Sequence, residues 1–443
     1  MLSAALCGWI ACAGLAMAAQ AAELTDQQIL AGADARIEKH RKADVVVTLR
    51  RPDGRPAAGV DVRIEQTGHA FLFGSNVFIL GRCKTPAENE AYEKRFGDLL
   101  NYATVPFYWW AYEAERGKPD YARTDRMVSW CHARGIKVKG HPLMWNYHDP
   151  KWLPDDPAEI RRLQLQRIAD CMKRFAGKID FWDVVNEATD FERPQILKNC
   201  PKLTAAIRAV GRMEFVRQCF QIARRADPDA VLLINDYIVE PRYADTVIRR
   251  LVDDYGRRLY DIIGIQCHQH GGAWGARHAW EICERFAVFG VPLHFTEATI
   301  LSGQQGWDLC ATRPAFDWVS TPEGEARQTR DVVRFYTVLF SHPAVEGITW
   351  WDFADAMAWQ RAPAGFLRRD MTPKPAYDAL HKLVKGRWWT TVSVTSDDQG
   401  HVPFRGFYGT YRATFTIDGR QREQAFAVRK NTDNRVEIRT AGP

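Results

Sequence analysis

Short apolar segments alternate with longer amphipathic segments between residues 71 and 385, and this alternation predicts a (β/α)8 barrel. Eight of the apolar segments have the length of strands and the β-branched content of strands buried on both faces of a parallel sheet. Polar side chains also gather at the C-terminal ends of these segments, which is where barrel proteins carry their chemistry. An open, doubly wound sheet is the alternative, but no glycine-rich phosphate loop follows the first strand.

The predicted strands span residues 72–74, 103–107, 137–141, 181–186, 231–236, 262–266, 293–297 and 348–352. Helical segments between them span residues 87–99, 125–134, 159–175, 212–225, 242–255, 279–289 and 324–340. Right-handed βα units of this kind place all the strand C-termini at the same end of the barrel.

The N-terminal residues 1–22 are apolar and alanine-rich, and Ala19-Gln20-Ala21 fits the small-residue cleavage rule of a signal peptide. The sequence therefore predicts a secreted or periplasmic protein. No Lys or Arg precedes the apolar stretch, so a buried N-terminal helix is the alternative. No other stretch approaches the roughly 18 apolar residues of a membrane span, and no membrane partner is expected.

Two β-rich extensions flank the predicted barrel. Residues 23–70 contain an amphipathic helix at 25–42 and short strands at 43–49, 60–66 and 69–73, which together predict an N-terminal extension. Strands at 388–394, 406–417 and 424–428 predict a C-terminal extension over residues 386–443. The catalytic unit would then be residues 71–385.

Composition excludes several classes of protein. The net charge of +6 is spread along the 443 residues, so no nucleic-acid partner is predicted. Ten cysteines show no CxxC spacing, so we expect no zinc site, and we predict no other metal and no cofactor. Sixteen tryptophans suit stacking on sugar rings, although most should pack in the core. We expect a monomer.

Two glutamates end strand-like apolar runs. Glu187 lies in FWDVVNEATD (181–190) and Glu297 in GVPLHFTEATI (290–300), so 297 − 187 = 110 residues separate them. A carboxylate at such a position must be paired or must lie at a cavity, because burying it alone is costly. Paired carboxylates from different strands are what the cleavage of a glycosidic bond requires. Each glutamate taken alone could equally belong to a surface salt bridge.

Other predicted strand ends are polar or aromatic as well. They carry His141, Trp145, Asn186, Asn235, Asp236, Tyr237, Gln266, His268, His270, Trp350, Trp351 and Asp352. Packing alone does not explain so many polar groups at one rim, since each is costly to bury without a role.

Seven sequence runs resemble glycoside hydrolase family 10, the family of retaining endo-β-1,4-xylanases. They are GHPLMW (140–145), WDVVNEA (182–188), NDY (235–237), GIQCH (264–268), FTE (295–297), TWWDFAD (349–355) with Trp359, and KPAY (374–377). They follow the family's order and cover roughly residues 71–385.

The resemblance implies that Glu187 is the acid/base and Glu297 the nucleophile. Asn186 would bind the sugar 2-hydroxyl, and His268 would hold Glu297 in its attacking orientation. The other implied substrate-binding residues are His141, Trp145, Asn146, His148, Tyr237, Gln266, Trp351 and Trp359.

The chain departs from the family at three places. Pro106-Phe107 replaces the family's Glu-Asn after the second strand, Trp145-Asn146-Tyr147-His148 replaces Trp-His-x-Gln, and Thr299 replaces an Asp. With only a hydroxyl at position 299, we expect His268 either to find another partner, such as a backbone carbonyl, or to titrate near neutral pH.

These observations predict a secreted enzyme that cleaves a β-1,4-linked plant polysaccharide, xylan first. A retaining β-glycosidase of different glycan specificity is one alternative. A non-catalytic carbohydrate-binding barrel is the other, although it would have no use for both glutamates.

Overall fold

A computed structural model describes residues 24–312 and 317–440 of the chain. The predicted signal peptide at residues 1–22 lies outside the described residues. The described chain begins with helices α1 (Asp26–Ala31) and α2 (Ala33–Arg41) and strands β1 (Lys42–Arg50) and β2 (Asp61–His69). Thr25 caps α1 through a reciprocal pair of hydrogen bonds with Gln28.

The central feature is a closed barrel of eight parallel strands. These are β3 (Leu72–Asn76), β4 (Tyr102–Pro106), β5 (Lys137–His141), β6 (Phe181–Asn186), β7 (Val231–Asp236), β8 (Ile262–Gln269), β9 (Leu293–Ile300) and β10 (Val345–Trp350). Each strand pairs with the next along the chain, and β10 closes the barrel on β3 through Gly347 opposite Leu72. The predicted (β/α)8 barrel is confirmed.

Long helices surround the barrel, and short helices lie within the loops that follow the strands. They are α3 (Pro86–Leu99), α4 (Trp109–Tyr112), α5 (Tyr121–His132), α6 (Pro157–Arg174), α7 (Pro194–Asn199), α8 (Pro201–Val210), α9 (Arg212–Ala226), α10 (Pro241–Thr246), α11 (Ala276–Ala287), α12 (Trp307–Thr312), α13 (Pro322–Ser341) and α14 (Pro375–Lys382). No helix in residues 24–312 and 317–440 is long and apolar enough to cross a membrane.

The helix predicted at 242–255 is shorter than expected. It ends at Thr246 and is followed by one turn of 3-10 helix at Ile248–Arg250. Beyond it, the Asp253 carboxylate accepts hydrogen bonds from the backbone N–H groups of Tyr255 and Arg257. An aspartate that binds the backbone in this way stabilises a turn at the expense of a helix.

The layer between the barrel and its helices is packed tightly around Trp182, which contacts Phe175 at the end of α6. Gly140 on β5 faces this ring, and a Cβ atom at position 140 would lie 2.2 Å from it. Only glycine leaves room for the indole there. Trp182 is fully buried and also packs on Phe107, with ring centroids 4.8 Å apart.

Strands from both ends of the chain form a β-sandwich beside the barrel. The C-terminal strands are β11 (Thr391–Thr395), β12 (His401–Phe407), β13 (Gly409–Ile417), β14 (Arg420–Val428) and β15 (Arg435–Arg439). One sheet has the order β12-β1-β15 and the other β11-β2-β13-β14. The sequence divides these strands between two extensions, whereas the structure pairs them in common sheets.

Arg41, at the end of α2, joins the sandwich to the barrel. Its buried guanidinium donates to the backbone carbonyls of Phe340 at 2.6 Å and Val345 at 2.7 Å. It also lies over the Phe71 ring, 4.8 Å from the centroid. A charge-assisted contact of this kind fixes the sandwich at the N-terminal end of β10, away from the strand C-termini.

Candidate active site

A cleft of about 550 Å³ opens at the C-terminal ends of the barrel strands. Its walls include Asn76, Phe78, Tyr108, Trp110, His141, Trp145, Tyr147, Asn186, Glu187, Arg193, Tyr237, Gln266, His268, Glu297, Trp351, Asp352 and Trp359. The parallel barrel brings these side chains together although they are distant in sequence.

Glu297 on β9 lies at the floor of the cleft. Its Oε1 accepts a hydrogen bond from Nδ2 of Asn235 at 2.8 Å, and its Oε2 lies 3.1 Å from Nε2 of His268. Burial raises the pKa of Glu297. The hydrogen bond from His268 and the charges of His141 and Lys139 together lower it by more, so the net shift is downward. The carboxyl is therefore ionised, as an attacking group must be.

His268 binds the hydroxyl that the sequence places at position 299. Its Nδ1 lies 2.9 Å from Oγ1 of Thr299. Because the Glu297 carboxylate can only accept, Nε2 of His268 carries the proton that faces it. In the neutral ring Nδ1 then accepts from the Thr299 hydroxyl. The second partner of His268 is therefore the Thr299 hydroxyl and not the backbone carbonyl that the sequence suggested.

Glu187 follows β6 on the opposite wall. Its Oε1 accepts from Gln266 Nε2 at 3.2 Å, and its Oε2 accepts from Trp145 Nε1 at 3.0 Å and from the Arg193 guanidinium. The residue has a left-handed backbone with φ 58°. That conformation costs a non-glycine residue roughly 1–2 kcal/mol and is a feature of functional sites.

Asn235 connects the two walls. Its Nδ2 donates to Oδ1 of Asn186 at 2.8 Å as well as to Glu297. Its Oδ1 accepts from the Thr296 hydroxyl at 2.6 Å. Asn186 in turn donates from Nδ2 to Glu187 Oε1 at 3.3 Å. One network of amides therefore joins both glutamates.

A buried charge network supports His141. Its Nδ1 lies 2.7 Å from Oδ2 of Asp183, which is also 2.7 Å from Nζ of Lys139. Burial raises the pKa of Asp183, but Lys139 and the His141 hydrogen bond lower it by more, so Asp183 is ionised. His141 Nε2 is thereby directed toward Glu297, with its Oε1 4.0 Å away.

Aromatic rings form the walls where the family's charged residues are missing. Phe107 itself is buried in the core against Trp182. Tyr108 and Trp110 enter the cleft instead, and their ring centroids are 5.1 Å apart. Trp145 and Tyr147 extend this surface as a stacked pair 4.2 Å apart. Flat rings of this kind suit the faces of sugars.

Eight of the ten predicted substrate-binding residues line the cleft, and two do not. Asn146 is buried, and its Nδ2 donates to the Phe191 carbonyl and to the Thr204 hydroxyl, both at 2.9 Å. His148 packs edge-on against Trp110, behind the ring that faces the cleft. The sequence places both next to Trp145 but does not show where their side chains turn.

Three residues of the site were not predicted as site residues from the sequence. Asn235 is one of the polar residues at a strand end, and the adjacent Asp236-Tyr237 lies at the same rim. Arg193 lies in the loop after β6, where no local pattern indicates its contact with Glu187. Tyr108 lies in the run VPFYWW, and its neighbours are also aromatic. Because these residues alternate between core and cleft, the sequence does not show which of them face the cleft.

A third acidic group faces the same cleft. Burial, and then the negative charges of Asp355 and Glu297, raise the pKa of Asp352 to about 7, although the backbone N–H of Trp359 and the Asn76 side chain act in the opposite direction. A carboxyl in this state is partly neutral at neutral pH and can donate a hydrogen bond.

The barrel carries two buried glutamates at the ends of its fourth and seventh strands, which is the arrangement found in (β/α)8 glycoside hydrolases. The model of glycosyl hydrolase family 10 matches residues 76–383. The chain belongs to this family, and the resemblance seen in its motifs is confirmed.

Several known proteins are similar to this chain. Anti-sigma-I factor RsgI6 of Acetivibrio thermocellus is 28% identical over 394 residues, which cover 88% of this chain and 47% of that protein. Endo-1,4-beta-xylanase 3 of Arabidopsis thaliana is 25% identical over 387 residues, which cover 85% of this chain and 46% of that protein. The chain thus spans about half the length of these curated relatives.

Solved xylanases share the fold. Native xylanase 10B from Thermotoga maritima has a TM-score of 0.58 at 20% identity, covering 72% of this chain and 96% of that chain. Xylanase 10B from Thermotoga petrophila in complex with xylobiose has a TM-score of 0.58 at 21% identity, covering 72% and 95%.

Proposed function

We propose that this protein is a retaining glycoside hydrolase that cleaves β-1,4-linked xylan within the chain. The observation that carries the proposal is the pair Glu187 and Glu297 on opposite walls of one cleft, connected through Asn186 and Asn235. The relatives named as endo-1,4-beta-xylanases support the choice of xylan.

In the proposed reaction Glu297 is the nucleophile. It is ionised, and Asn235 and His268 fix its two oxygens, so one oxygen can attack the anomeric carbon below the sugar ring. Glu187 donates a proton to the departing glycosidic oxygen. Water then attacks the glycosyl ester while Glu187 takes up its proton, which restores both groups.

The remaining side chains position the sugar. Asn186 has its Oδ1 filled by Asn235 and Gln266, so its amide nitrogen is the group offered to a sugar hydroxyl or to Glu187. Trp351 and Trp359 flank His268, with ring centroids 5.9 and 4.6 Å from it. The two indole rings would stack on the apolar faces of the sugar, and the side-chain amides would form hydrogen bonds with its hydroxyls.

The anomeric configuration of the first product tests the mechanism. Proton NMR during xylan hydrolysis should show the β-anomer first, and an experimental structure should place the two carboxyl groups about 5–5.5 Å apart. An α-anomer as the first product, or a separation beyond about 6.5 Å, would replace the retaining mechanism with an inverting one.

A retaining β-glycosidase of different glycan specificity is the second candidate. The aromatic surface of Tyr108, Trp110, Trp145 and Tyr147 favours it, because stacking replaces charged hydrogen bonds at that wall. Initial rates on xylan, arabinoxylan, mixed-linkage glucan and mannan separate the two. The xylanase proposal fails if mixed-linkage glucan or mannan is hydrolysed faster than both xylan and arabinoxylan.

We further propose that the protein is exported and acts as a monomer. Export rests on the apolar residues 1–22 alone. Fractionation of the native cells and light scattering of the purified protein test these two points.

A further inference from the structure

A second pocket of about 310 Å³ adjoins the main cleft. Ile79 and Met357 line both cavities, so the two are continuous at these side chains. Four of the residues that line the second pocket are cations, namely Arg82, Lys84, Arg361 and Arg369. We call this cavity the basic pocket.

The two carboxylates in its wall are already engaged elsewhere. Glu88 accepts from the backbone N–H groups of Lys84 at 2.7 Å and Thr85 at 3.3 Å, as part of the cap of α3. Asp355 accepts from the buried Lys374 ammonium at 2.7 Å and from Gly365 N–H at 2.8 Å. Lys374 therefore balances the charge of Asp355, and the start of α3 holds the Glu88 carboxylate through its backbone N–H groups.

The cations are not balanced in the same way. Arg369 pairs with Asp317 at 2.8 Å. Within residues 24–312 and 317–440, no carboxylate forms an ion pair with Arg82, Lys84 or Arg361. All three side chains are exposed toward the cavity and the solvent. The basic pocket thus holds an excess of positive charge beside the main cleft.

The wall between the two cavities is a strained turn. Met357, Gln360 and Arg361 all have left-handed backbones, with φ of 58°, 59° and 57°. This turn places Trp359 in the main cleft and Arg361 in the basic pocket, two residues apart. Strained residues of this kind persist where the surrounding structure holds them for binding.

The position of the basic pocket indicates which part of a substrate it would meet. It lies at the loops after β3 and β10, which are neighbours in the barrel, whereas β6 and Glu187 are on the far side. Glu187 marks the side of the leaving group in the proposed function. The basic pocket therefore faces the part of the glycan that stays on Glu297.

We propose that the basic pocket binds the carboxylate of a uronic acid side group carried by the polysaccharide in the main cleft. Arginine is the side chain that best matches a carboxylate, through two parallel N–H donors. The inference rests on the proposed function, and it adds that an acidic xylan is preferred to a neutral one.

Binding measured without turnover tests the proposal. The Glu297→Ala variant is used with glucuronoxylan and with the same polymer after its carboxyl groups are reduced to alcohols, and affinity electrophoresis gives the dissociation constants. The acidic polymer should bind more tightly. Adding Arg82→Gln or Arg361→Gln should weaken its binding about twofold to fivefold for each arginine, as for an exposed ion pair, and leave the reduced polymer unchanged.

Arg225→Gln is the matched control. It removes the same charge from the exposed last turn of α9, which leads into the N-terminal end of β7 at the opposite end of the barrel. It should change neither affinity. In 0.5 M NaCl the preference for the acidic polymer should shrink, because salt screens exposed charges.

Four outcomes would overturn the proposal. Equal affinity for the two polymers would show that the basic pocket does not bind the carboxylate. An equal loss of affinity for both polymers in the arginine variants would show the same. In both cases the proposed binding of xylan in the main cleft would be unaffected. If Arg225→Gln weakened the acidic polymer as much as Arg361→Gln, the effect would come from overall charge. If neither polymer bound, the proposed function would fail together with this inference.

Discussion

Asn235→Ala tests the amide network between the two glutamates. The substitution removes the donor at 2.8 Å from Glu297, the donor at 2.8 Å from Asn186, and the acceptor of the Thr296 hydroxyl at 2.6 Å. Asn235 is fully buried, so the substitution removes these contacts from the inside of the network that joins the two glutamates. The backbone N–H of Glu187 still donates to the carbonyl of residue 235, since that contact does not involve the side chain.

The expected size follows from what is left unpaired. A buried group that loses its partner costs about 1–3 kcal/mol, so the free energy of unfolding should fall by about 2–5 kcal/mol in all. The effect on catalysis is larger than a single hydrogen bond implies, because a nucleophile displaced by about 1 Å can lose on the order of a hundredfold in rate. We expect kcat/KM to fall by about tenfold to a hundredfold.

Asn146→Ala is the matched control. It is also a buried asparagine at the rim, and its Nδ2 likewise loses two hydrogen bonds, but those go to Phe191 and Thr204 and not to a cleft residue. Its melting temperature should fall as much, whereas kcat/KM should stay within about threefold of the parent. Initial rates on xylan and on an aryl β-xyloside, with calorimetry of both variants, give these numbers. Equal losses of activity in the two variants, or none in Asn235→Ala, would refute the reasoning.

Three further predictions concern single groups. Glu297→Ala should abolish turnover of every substrate. Glu187→Ala should still hydrolyse aryl glycosides whose leaving group needs no proton, and azide should raise its rate. If Glu187→Ala lost as much activity on the aryl glycoside as on the polymer, and azide restored neither, the assignment of the two roles would be wrong. Thr299→Val removes the partner of His268 Nδ1 and should lower kcat about twofold to tenfold, whereas Thr299→Ser should keep the parent's kcat. An unchanged kcat in Thr299→Val would show that the hydroxyl does not orient the ring. Because burial raises the pKa of Asp352 to about 7, its contribution to stability is present below about pH 4 and is lost as the pH rises through 7. The melting temperature of Asp352→Asn should therefore exceed the parent's by a margin that grows between pH 4 and 7, and a constant margin would contradict the assignment.

The barrel and the positions of the two glutamates can be predicted from the amino-acid sequence. Strand and helix periods are local properties, so each βα unit could be recognised from its own residues. A charged residue at the end of a buried strand, such as Glu187 or Glu297, is also a local feature. Because parallel strands in a barrel all end at one rim, these local features were enough to place both carboxylates at the same mouth.

The side chains that hold those glutamates are evident only in the folded protein. Asn235 and Glu297 are 62 residues apart, and the Arg193 contact depends on the course of a loop. The orientation of Asn146, next to Trp145 in sequence but turned into the core, depends on where Phe191 and Thr204 lie. Hydrogen bonds of this kind are fixed by packing between elements, and no residue pattern within one element records them.

The sandwich shows the same limit on a larger scale. Strand β2 pairs with β13, for example Arg63 with Thr414, across more than three-quarters of the chain. Alternating burial in each strand is visible in the sequence, but the strand that covers an edge is not. In the folded chain, strands from both ends of the sequence pair in each sheet. The sequence therefore predicts the strands, whereas their pairing depends on how the rest of the fold brings the two ends of the chain together.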